Sequence, residues 1–532
     1  MKQRIPKELS ELKYTSRRRS IFSQLAKLLT HRVFFVGLFI VLQLAVLVLM
    51  VAYFSSYFIQ FYIFCVVISW ISVLWIVNRN SHPDYKIAWI VPIMAFPLFG
   101  GLFYLLFGGN QLSQWNQRRM ERLGKMTREA LKREGQEAEN IIASNSAAGN
   151  QSRYLFRTSG CPPHVRTDAV YFPTGEAVWK SMLEEISKAE HFVFLEVFII
   201  EEGVMWNTML DILEEKAKQG VDVRLLYDDI GSLFTVPKNY AKQMQQRGIS
   251  CAVFNPFRPV VSIRLNNRDH RKICVVDGHT GYTGGINLAD EYINVKERFG
   301  YWKDNGILLR GEAVWNLTVM FLANWDYTTG MHESFEAYRP AVWPGEPYTG
   351  PGVIQPYSDS PLTQEAVGCN VYLNLINRAT RYIYITTPYL VIDHTLTVAL
   401  QTAAKSGVDV RIITPHIPDK KKVFEVTRAH YPALLEAGVK IYEFTPGFIH
   451  AKTFVVDDLY GVVGTINLDY RSLYLHFECG VWIYDHPVVH DIRDDFLETM
   501  SQSQEVCLES ATRLGWLKRF YRALLRLFAP LL

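Results

Sequence analysis

The pattern of hydrophobic and polar positions divides this chain into two unlike parts. Three long apolar runs follow one another in the N-terminal part of the chain, at 33–54, 57–77 and 87–107. Each run is about as long as a helix that crosses a bilayer. Beyond residue 155, short apolar stretches alternate with amphipathic ones, and this predicts strands and helices packed as an α/β sheet. We therefore expect a transmembrane helical region followed by a large α/β domain.

The charges around the apolar runs leave the topology open. Residues 1–32 contain nine Lys or Arg and two Glu, which favours the cytoplasmic side for this segment. Seven basic residues between 118 and 133 follow the third run, and the same rule resists export of that stretch. The third run, which contains two prolines and two glycines, either spans or is re-entrant. A cleavable leader fits poorly, because the apolar block is too long and begins too late.

Composition narrows the possible partners. Hydrophobic residues make up 49% of the 532 positions and charged residues only 20%, and the apolar surplus lies in the region of the three runs. The net charge of +4 is nearly neutral for this size and gives no argument for nucleic acid. The seven cysteines are odd in number and form no C-x-x-C pair, so we expect them to be reduced and mostly buried.

The second part of the chain repeats itself once. The phrase Gly-Val-Asp-Val-Arg at 220–224 returns at 407–411, each time after a predicted helix (206–219 and 395–406) and each time preceded by a predicted strand (192–200 and 382–390). A second phrase, 248–256, resembles 438–446. The repeat predicts two related halves, 155–345 and 346–505. A basic helix and a small-residue linker are expected at 110–154, with 143–150 flexible, and an amphipathic basic helix at 506–532.

Each half carries one copy of a polar motif. The first copy contains His270, Lys272, Asp277, Gly284, Gly285 and Asn287, and the second contains His450, Lys452, Asp457, Gly464, Thr465 and Asn467, all at one constant offset in sequence. Side chains two apart in a strand point the same way, so the His and Lys of each copy are expected to face one site. Asp277-Gly278 predicts a hairpin turn, after which the chain returns Asn287 towards His270.

These residue types suit exchange at a phosphodiester. One neutral imidazole attacks phosphorus, and a second, protonated, donates to the leaving oxygen. Lys272 and Lys452 supply positive charge, and the two asparagines supply amide donors. A metal is then unnecessary, and we expect no metal or cofactor. A carboxylate should hold the second nitrogen of each His, with Glu478 and Asp304 as candidates. Asp277 and Asp457 stand at a strand-to-turn junction, which favours a structural role.

At these residues the sequence resembles the phospholipase D superfamily, whose signature is H-x-K-x4-D-x6-G-G/S-x-N. Both copies fit, although Thr465 replaces the usual small residue. The resemblance is closer still to bacterial cardiolipin synthases, from about residue 60 onward, and rests on the phrases 88–100, 104–108, 282–287, 387–389 and 463–473. That family usually has two membrane segments, so the run 33–54 looks additional.

The resemblance implies a fold, a reaction and a set of residues. The fold is two α/β halves about a pseudo-twofold axis, with one His from each half in a shared site. The reaction joins two phosphatidylglycerol molecules into cardiolipin and glycerol through a phosphohistidine, in a multi-pass protein of the bacterial cytoplasmic membrane. The implied catalytic residues are His270, Lys272, Asp277, His450, Lys452 and Asp457, supported by Asn287, Asn467, Asp304 and Glu478.

Three alternatives remain open from the sequence. The same residues serve a hydrolase that passes the phosphatidyl group to water. A membrane-tethered nuclease would use a basic track, for which Arg258, Arg264, Arg268 and Arg271 are a start. A scaffold with dead motifs is disfavoured, because every His, Lys and Asn of both copies is intact. Neither the oligomeric state nor the attacking His is decided, and the C-terminal helix suits membrane contact or docking on the protein equally.

Overall fold

The computed structural model describes residues 58–79, 82–97, 114–132, 146–257, 267–340, 348–363 and 365–531, together with single positions between 41 and 143 and at 343. The basic segment 1–32, most of the apolar run 33–54 and the arginines at 258 and 264 lie outside these residues. The predictions made for them are therefore not addressed below.

Two helices lie in the described part of the predicted membrane region: α1 (Phe58–Asn78) and α2 (Pro83–Ala95). Within the described residues, one stretch, Ile59–Asn78, is long and apolar enough to cross a bilayer, and it matches the second predicted run. The third predicted run, 87–107, lies only partly within the described residues, so whether it spans or is re-entrant stays a prediction. Helix α2 ends at Ala95 because Phe96 precedes Pro97, and a residue before proline disfavours helical geometry. At 1.5 Å per residue, its length is roughly 20 Å.

Helix α2 is fastened to the α/β domain by polar contacts. The imidazole of His82, at its N-cap, lies 2.9 Å from a carboxylate oxygen of Asp393. The hydroxyl of Tyr470 donates to the carboxylate of Asp84. Both partners belong to the second half, so the apolar helices are joined directly to that half.

The predicted basic helix is present as α3 (Gln114–Leu131), but the flexible linker is partly wrong. Positions 147–150 form the first turn of α4 (Ala147–Ser159). The hydroxyl of Ser146 caps this helix by accepting from the backbone N–H of Gly149 at 3.0 Å. Ser146, which small residues follow, is thus the N-cap of a helix.

The first half contains a seven-stranded mixed sheet in the order β1-β8-β6-β5-β2-β3-β4. Its elements are β1 (Thr167–Phe172), α5 (Gly175–Ser187), β2 (Phe192–Val197), α6 (Val204–Lys218), β3 (Asp222–Asp228), α7 (Tyr240–Gln246), β4 (Ser250–Phe254), β5 (Ile273–Val276), β6 (Thr280–Gly284), β7 (Tyr301–Lys303), β8 (Gly306–Gly311) and α8 (Val314–Thr329), with 3-10 turns at Asp290–Ile293 and Phe335–Tyr338. The parallel pair β2–β3 is joined through α6, as the strand–helix–strand pattern predicts.

The second half contains an eight-stranded sheet in the order β19-β13-β12-β10-β15-β16-β18-β9. Its elements are β9 (Val353–Asp359), α9 (Val367–Arg378), β10 (Tyr382–Thr386), β11 (Leu390–Val391), α10 (His394–Lys405), β12 (Asp409–Pro415), α11 (Lys421–Glu436), β13 (Lys440–Phe444), β14 (Gly447–Ile449), β15 (Thr453–Val456), β16 (Tyr460–Gly464), β17 (Leu468–Asp469), α12 (Tyr470–Tyr474), β18 (Glu478–Tyr484), α13 (Val488–Ser501) and β19 (Ser503–Glu505). Read from β9 to β13, the strand order repeats that of the first half, with β19 added at one edge. The chain ends with α14 (Leu508–Thr512), α15 (Trp516–Leu527) and a 3-10 turn at Ala529–Leu531.

The two halves share one hydrophobic core. Val275 and Ile307 of the first half and Val463 and Val481 of the second are all fully buried in the same cluster. Burying a side chain of this size contributes about 1.5–3 kcal/mol, so separating the halves would expose a substantial apolar interface. The halves therefore form a single cooperative unit.

Candidate active site

A cavity of about 630 Å³ lies where the two halves meet. His270 and Asn287 of the first half line it together with His450 and Asn467 of the second. The structure thus brings the paired His and Asn positions of both motifs into one place. Aromatic and aliphatic side chains, among them Phe198, line it together with charged ones, among them Lys420 and Arg471.

Backbone pairing between the halves holds both histidines in position. Strand β7 pairs in parallel with β14, and the amide of His450 donates to the carbonyl of Lys303 at 2.7 Å. In the same way, the amide of His270 donates to the carbonyl of Phe477 at 2.9 Å. Each His-x-Lys segment lies just before its strand, since β5 and β15 begin one residue after the lysine. The sequence pattern predicts that the motif lies within a strand. This prediction is wrong for the three residues of each His-x-Lys segment, which precede the strand.

The carboxylates that orient the histidines come from the opposite halves. Nδ1 of His270 lies 2.9 and 3.0 Å from the two carboxylate oxygens of Glu478. Nδ1 of His450 lies 2.7 Å from a carboxylate oxygen of Asp304. Both acids are fully buried. Each carboxylate therefore binds a Nδ1–H and leaves the Nε2 lone pair of its histidine available for chemistry.

Burial favours the neutral form of both histidines. Burial lowers the pKa of His450 to about 4, with Lys452 acting in the same direction and Asp304 opposing it. Burial likewise lowers the pKa of His270 well below its usual value, although Glu478 opposes the shift. Burial alone would raise the pKa of Glu478, but pairing with His270 holds it well below its usual range. A neutral imidazole beside a carboxylate is the state that attacks phosphorus.

The two lysines lie beneath the histidines and do not line the cavity. The ammonium group of Lys272 donates to the carbonyl of His270 at 2.6 Å. Lys452 donates to the carbonyl of His450, and its nitrogen also lies 2.9 Å from Nδ1 of that ring. We assign the Nδ1 proton to the contact with Asp304, so Lys452 makes no hydrogen bond to that nitrogen and its charge disfavours protonation of the ring. Each lysine thus places a positive charge directly behind an attacking or donating ring.

The motif asparagines differ in their bonding. The side chain of Asn287 accepts from the amide of Ile199 at 3.0 Å and donates to the hydroxyl of Tyr292 at 2.7 Å. Asn467 donates to the carboxylate of Asp469 at 3.3 Å, and its buried carbonyl oxygen has no hydrogen-bond partner among the described residues. Each amide group keeps one N–H for a further acceptor, as a group at a phosphate oxygen requires.

Asp277 and Asp457 lie away from this cavity. Each lies five positions after its motif lysine, at the end of a four-residue strand, which is roughly 17 Å at 3.3 Å per residue. The Asp277 carboxylate accepts from the amides of residues 190–192, and Asp457 accepts from those of 380–382. Both have positive φ, 50° and 56°, as the predicted hairpin turn requires. The catalytic role expected of them has no support in this position, and we propose that they fix the turns.

The departure from the signature at Thr465 has a geometric reason. Its hydroxyl donates to the carboxylate of Glu478. The equivalent position in the first half is Gly285, where a Cβ would lie 1.9 Å from a carboxylate oxygen of Asp304. The glycine thus leaves room for one orienting carboxylate, and the threonine holds the other.

His476 is a site residue that the motif did not indicate. Its ring lies 5.5 Å from that of His270, and its Nδ1 lies 3.6 Å from Glu478. Trp302 lies beside His450 as His476 lies beside His270, with the ring centroids of Trp302 and His450 5.6 Å apart. Each precedes an orienting carboxylate by two residues, a shared offset that could have singled them out. Among the described residues, His270, His476 and Glu478 also have the spacing of a possible metal-binding group.

Comparison with known proteins places the chain in a family. A family model for the cardiolipin synthase phospholipase D-like domain matches residues 182–299 and 372–500. A second, the phospholipase D-nuclease N-terminal model, matches 66–109. A cardiolipin synthase of Geobacillus kaustophilus is 36% identical over 85% of this chain and 90% of its own length. An uncharacterized protein of Streptococcus mutans is 45% identical over 87% of this chain and 99% of its own.

The chain belongs to the cardiolipin synthase family of phospholipase D-like enzymes. A phosphatidylserine synthase structure from Haemophilus influenzae shares its fold, with a TM-score of 0.54 at 16% identity over 72% of this chain and 97% of that one. Family membership confirms the predicted function, cardiolipin synthesis, and the predicted enzyme class, phosphatidyl transfer. The α/β fold in two phospholipase D-like halves is also confirmed.

Two of the four arginines considered for a nuclease track lie within the described residues. Arg268 is buried, with its guanidinium 3.0 Å from Asp228. Arg271 is buried as well, 3.6 Å from Glu196. The charges of these two arginines are therefore paired inside the protein, which gives a nuclease track no support from them.

We expect the affinity of this enzyme for its phospholipid substrate to fall as pH rises above 7. Burial lowers the pKa of Lys452 to about 7 and of Lys272 to about 8. Lysine is charged below its pKa, so the positive charge at the site is present at pH 6 and lost towards pH 9. The KM in mixed micelles should rise about tenfold over this range. Lys452→Met should raise the KM at pH 6 and flatten its pH dependence, and a wild-type KM constant from pH 6 to 9 would contradict the prediction.

We expect chelators to leave this cardiolipin synthase active. The imidazole of His270 is hydrogen-bonded to the carboxylate of Glu478. This hydrogen bond orients the imidazole for attack on phosphorus without a metal. The measurement is the turnover rate before and after EDTA treatment and dialysis. Loss of activity that added zinc or magnesium restores would show that His270, His476 and Glu478 bind a required ion.

Proposed function

We propose that this enzyme joins two phosphatidylglycerol molecules in a single cavity, releasing glycerol and forming cardiolipin. The observation that carries the proposal is the reciprocal arrangement of the two histidines, each held at Nδ1 by a carboxylate of the other half. Two equivalent imidazoles with free Nε2 atoms divide the roles of nucleophile and acid between them.

In the first step, the Nε2 of one histidine attacks the phosphorus of the donor lipid. An N–P bond forms and the P–O bond to the glycerol headgroup breaks. The other histidine enters the step protonated at both ring nitrogens, a state that the nearby phosphodiester anion favours, and it gives its Nε2 proton to the leaving oxygen. Lys272 and Lys452 offset the charge on the phosphoryl oxygens, with the amides of Asn287 and Asn467 as further donors. Glycerol leaves, and the phosphatidyl group stays on the enzyme.

In the second step, the deprotonated histidine takes the proton of a hydroxyl group on the second phosphatidylglycerol. That oxygen attacks phosphorus, the N–P bond breaks, and both histidines return to their starting states. Transfer to lipid rather than to water is supported by the walls of the cavity. Phe198, Phe299, Val423 and Val426 line it, and such side chains suit the apolar glyceride part of an acceptor lipid.

We propose further that the halves are related by a pseudo-twofold axis and that the chain is a multi-pass protein of the bacterial cytoplasmic membrane. The matching strand orders of the two sheets support the axis. The apolar helix Ile59–Asn78 supports the membrane location. The proposed division is a basic segment at 1–32, a membrane region at 33–109, a basic helix and connection at 110–154, halves at 155–345 and 346–505, and a C-terminal helix at 506–532.

The test uses purified enzyme in mixed micelles of phosphatidylglycerol, with lipid products and free glycerol measured together. Cardiolipin and glycerol in equal amounts are expected. Phosphatidic acid without cardiolipin would mean that water is the acceptor and that the enzyme is a hydrolase. If neither cardiolipin nor phosphatidic acid forms, phosphatidylglycerol is not the donor lipid.

A further inference from the structure

The C-terminal helix α15 packs on the protein through its cationic side. The guanidinium of Arg522 is buried and lies 2.8 Å from a carboxylate oxygen of Glu425 on α11. Lys518, on the same side, lies 3.5 Å from the other carboxylate oxygen of Glu425. A surface helix of a water-soluble protein ordinarily buries its apolar stripe and exposes its charges. Here this arrangement is reversed.

The outward side of α15 is apolar and aromatic. Trp516 is 75% exposed, Leu517 63%, Phe520 66% and Leu524 46%. At about 100° per residue, Trp516, Phe520 and Leu524 fall within roughly 80° of the helix circumference, and Leu517 lies next to them. Four large apolar side chains on one face form a contiguous patch, which a protein surface seldom shows unless a partner or a membrane covers it.

The position of this patch indicates what covers it. The 3-10 turn Ala529–Leu531 follows α15 directly and contacts α2, the helix that comes after the membrane-spanning stretch. Helix α2 has its own exposed apolar stripe, with Ile87, Val91 and Met94 all at least 40% exposed. The C-terminal end of α15 is therefore held against a helix of the predicted membrane region, and both helices expose apolar side chains.

The same region borders the active site. Helix α11 carries Glu425, the ion-pair partner of Arg522. Val423 and Val426 of the same helix line the cavity, and so does Ala529 of the C-terminal turn. Exposed Arg513 and Arg519 flank the apolar face, and basic residues at this position attract anionic headgroups.

We propose that the outward face of α15 lies in the headgroup layer of the bilayer, as a second membrane contact that brings the mouth of the cavity to the lipid surface. Its binding partner is an anionic lipid membrane. This membrane contact determines how lipid reaches the cavity and is separate from the reaction within it. It is tested by a measurement that needs no turnover.

The first experiment places a nitroxide label at position 520 (Phe520→Cys) in the full chain, in nanodiscs of phosphatidylglycerol and phosphatidylcholine. Cys507, the exposed cysteine among the described residues, is replaced by Ser. The control label stands at position 459 (Leu459→Cys), which is 41% exposed at the β15–β16 turn, the strand end far from the histidines. Collisions with oxygen should be severalfold higher at 520 than at 459, and collisions with a water-soluble nickel complex severalfold lower.

Two outcomes would overturn the proposal. Equal nickel accessibility at 520 and 459 would place the face in water. Low accessibility to both reagents, with dipolar broadening between labels, would mean that a second copy of the chain covers it.

A kinetic experiment gives an independent readout. Phe520→Glu with Leu524→Glu should lower kcat/KM on lipid in bilayers by about tenfold while leaving activity in detergent micelles unchanged. Leu459→Glu should alter neither. If the double variant performs equally well in both settings, α15 is a docking helix only. Cardiolipin formation by the wild type in micelles tests the reaction separately.

Discussion

Replacing either His270 or His450 by alanine reduces cardiolipin formation by at least about 10⁴-fold, because nucleophile and acid act as one unit and neither can supply both roles. Both side chains line the same cavity, so no second site remains to carry residual turnover. The measurement is the initial rate in phosphatidylglycerol micelles, with thermal unfolding recorded to show that each variant is folded. His332→Ala, at an exposed position, is the matched control and should retain full activity.

The two inactive variants also test whether the site belongs to one chain. Each histidine is held by a carboxylate of its own chain, so a mixture of His270→Ala and His450→Ala should stay inactive. Activity regained on co-expression would show that halves are exchanged between chains. Substantial activity of either variant alone would show that one half suffices.

Glu478→Gln and Asp304→Asn are each expected to lower kcat by about 10²–10⁴-fold with little change in KM. The amide accepts a hydrogen bond but carries no charge to stabilise the imidazolium that forms during proton transfer. Each of these substitutions should affect the histidine of the opposite half. Glu478→Gln should alter the reactivity of His270 towards diethyl pyrocarbonate, read by mass spectrometry, and leave His450 unchanged, whereas Asp304→Asn should do the reverse.

Glu297→Gln, at an exposed position near Asp304 in sequence, is the control and should have wild-type kinetics. If Glu478→Gln changes His450 instead, the crossed pairing is wrong. If both carboxylate variants keep wild-type kcat, the acids only hold the interface together. A fall in melting temperature without loss of kcat would support that purely structural role.

The sequence predicted most of the site because its signal is local and repeated. The constant offset between the two motif copies identified both histidines, both lysines and both asparagines, and the alternation of strands and helices predicted the two sheets. Glu478 and Asp304 were found by asking which acids follow each motif. Which histidine each acid serves was not predictable from spacing, since it depends on backbone pairing of β7 with β14 and of Asp269 with Phe477.

Other features depended on single contacts with no periodic signal. Lys272 and Lys452 turn back to the carbonyls of their own histidines, so the strands begin only after them. The segment 147–150 reads as a flexible linker from its small residues, yet one capping serine starts a helix there. The reversed orientation of α15 follows from one buried ion pair, Arg522 with Glu425, which hydropathy does not report.

The crossing of carboxylates between the halves sets when during synthesis the enzyme gains activity. Glu478 follows His270 by 208 residues, whereas the apolar helix at 58–78 precedes both. Because a chain is made from its N-terminus, the apolar helix and the first half are synthesised before His270 has its partner. Until Glu478 has been made, His270 lacks the carboxylate that orients it, and a chain that stops short of this residue has an incomplete active site.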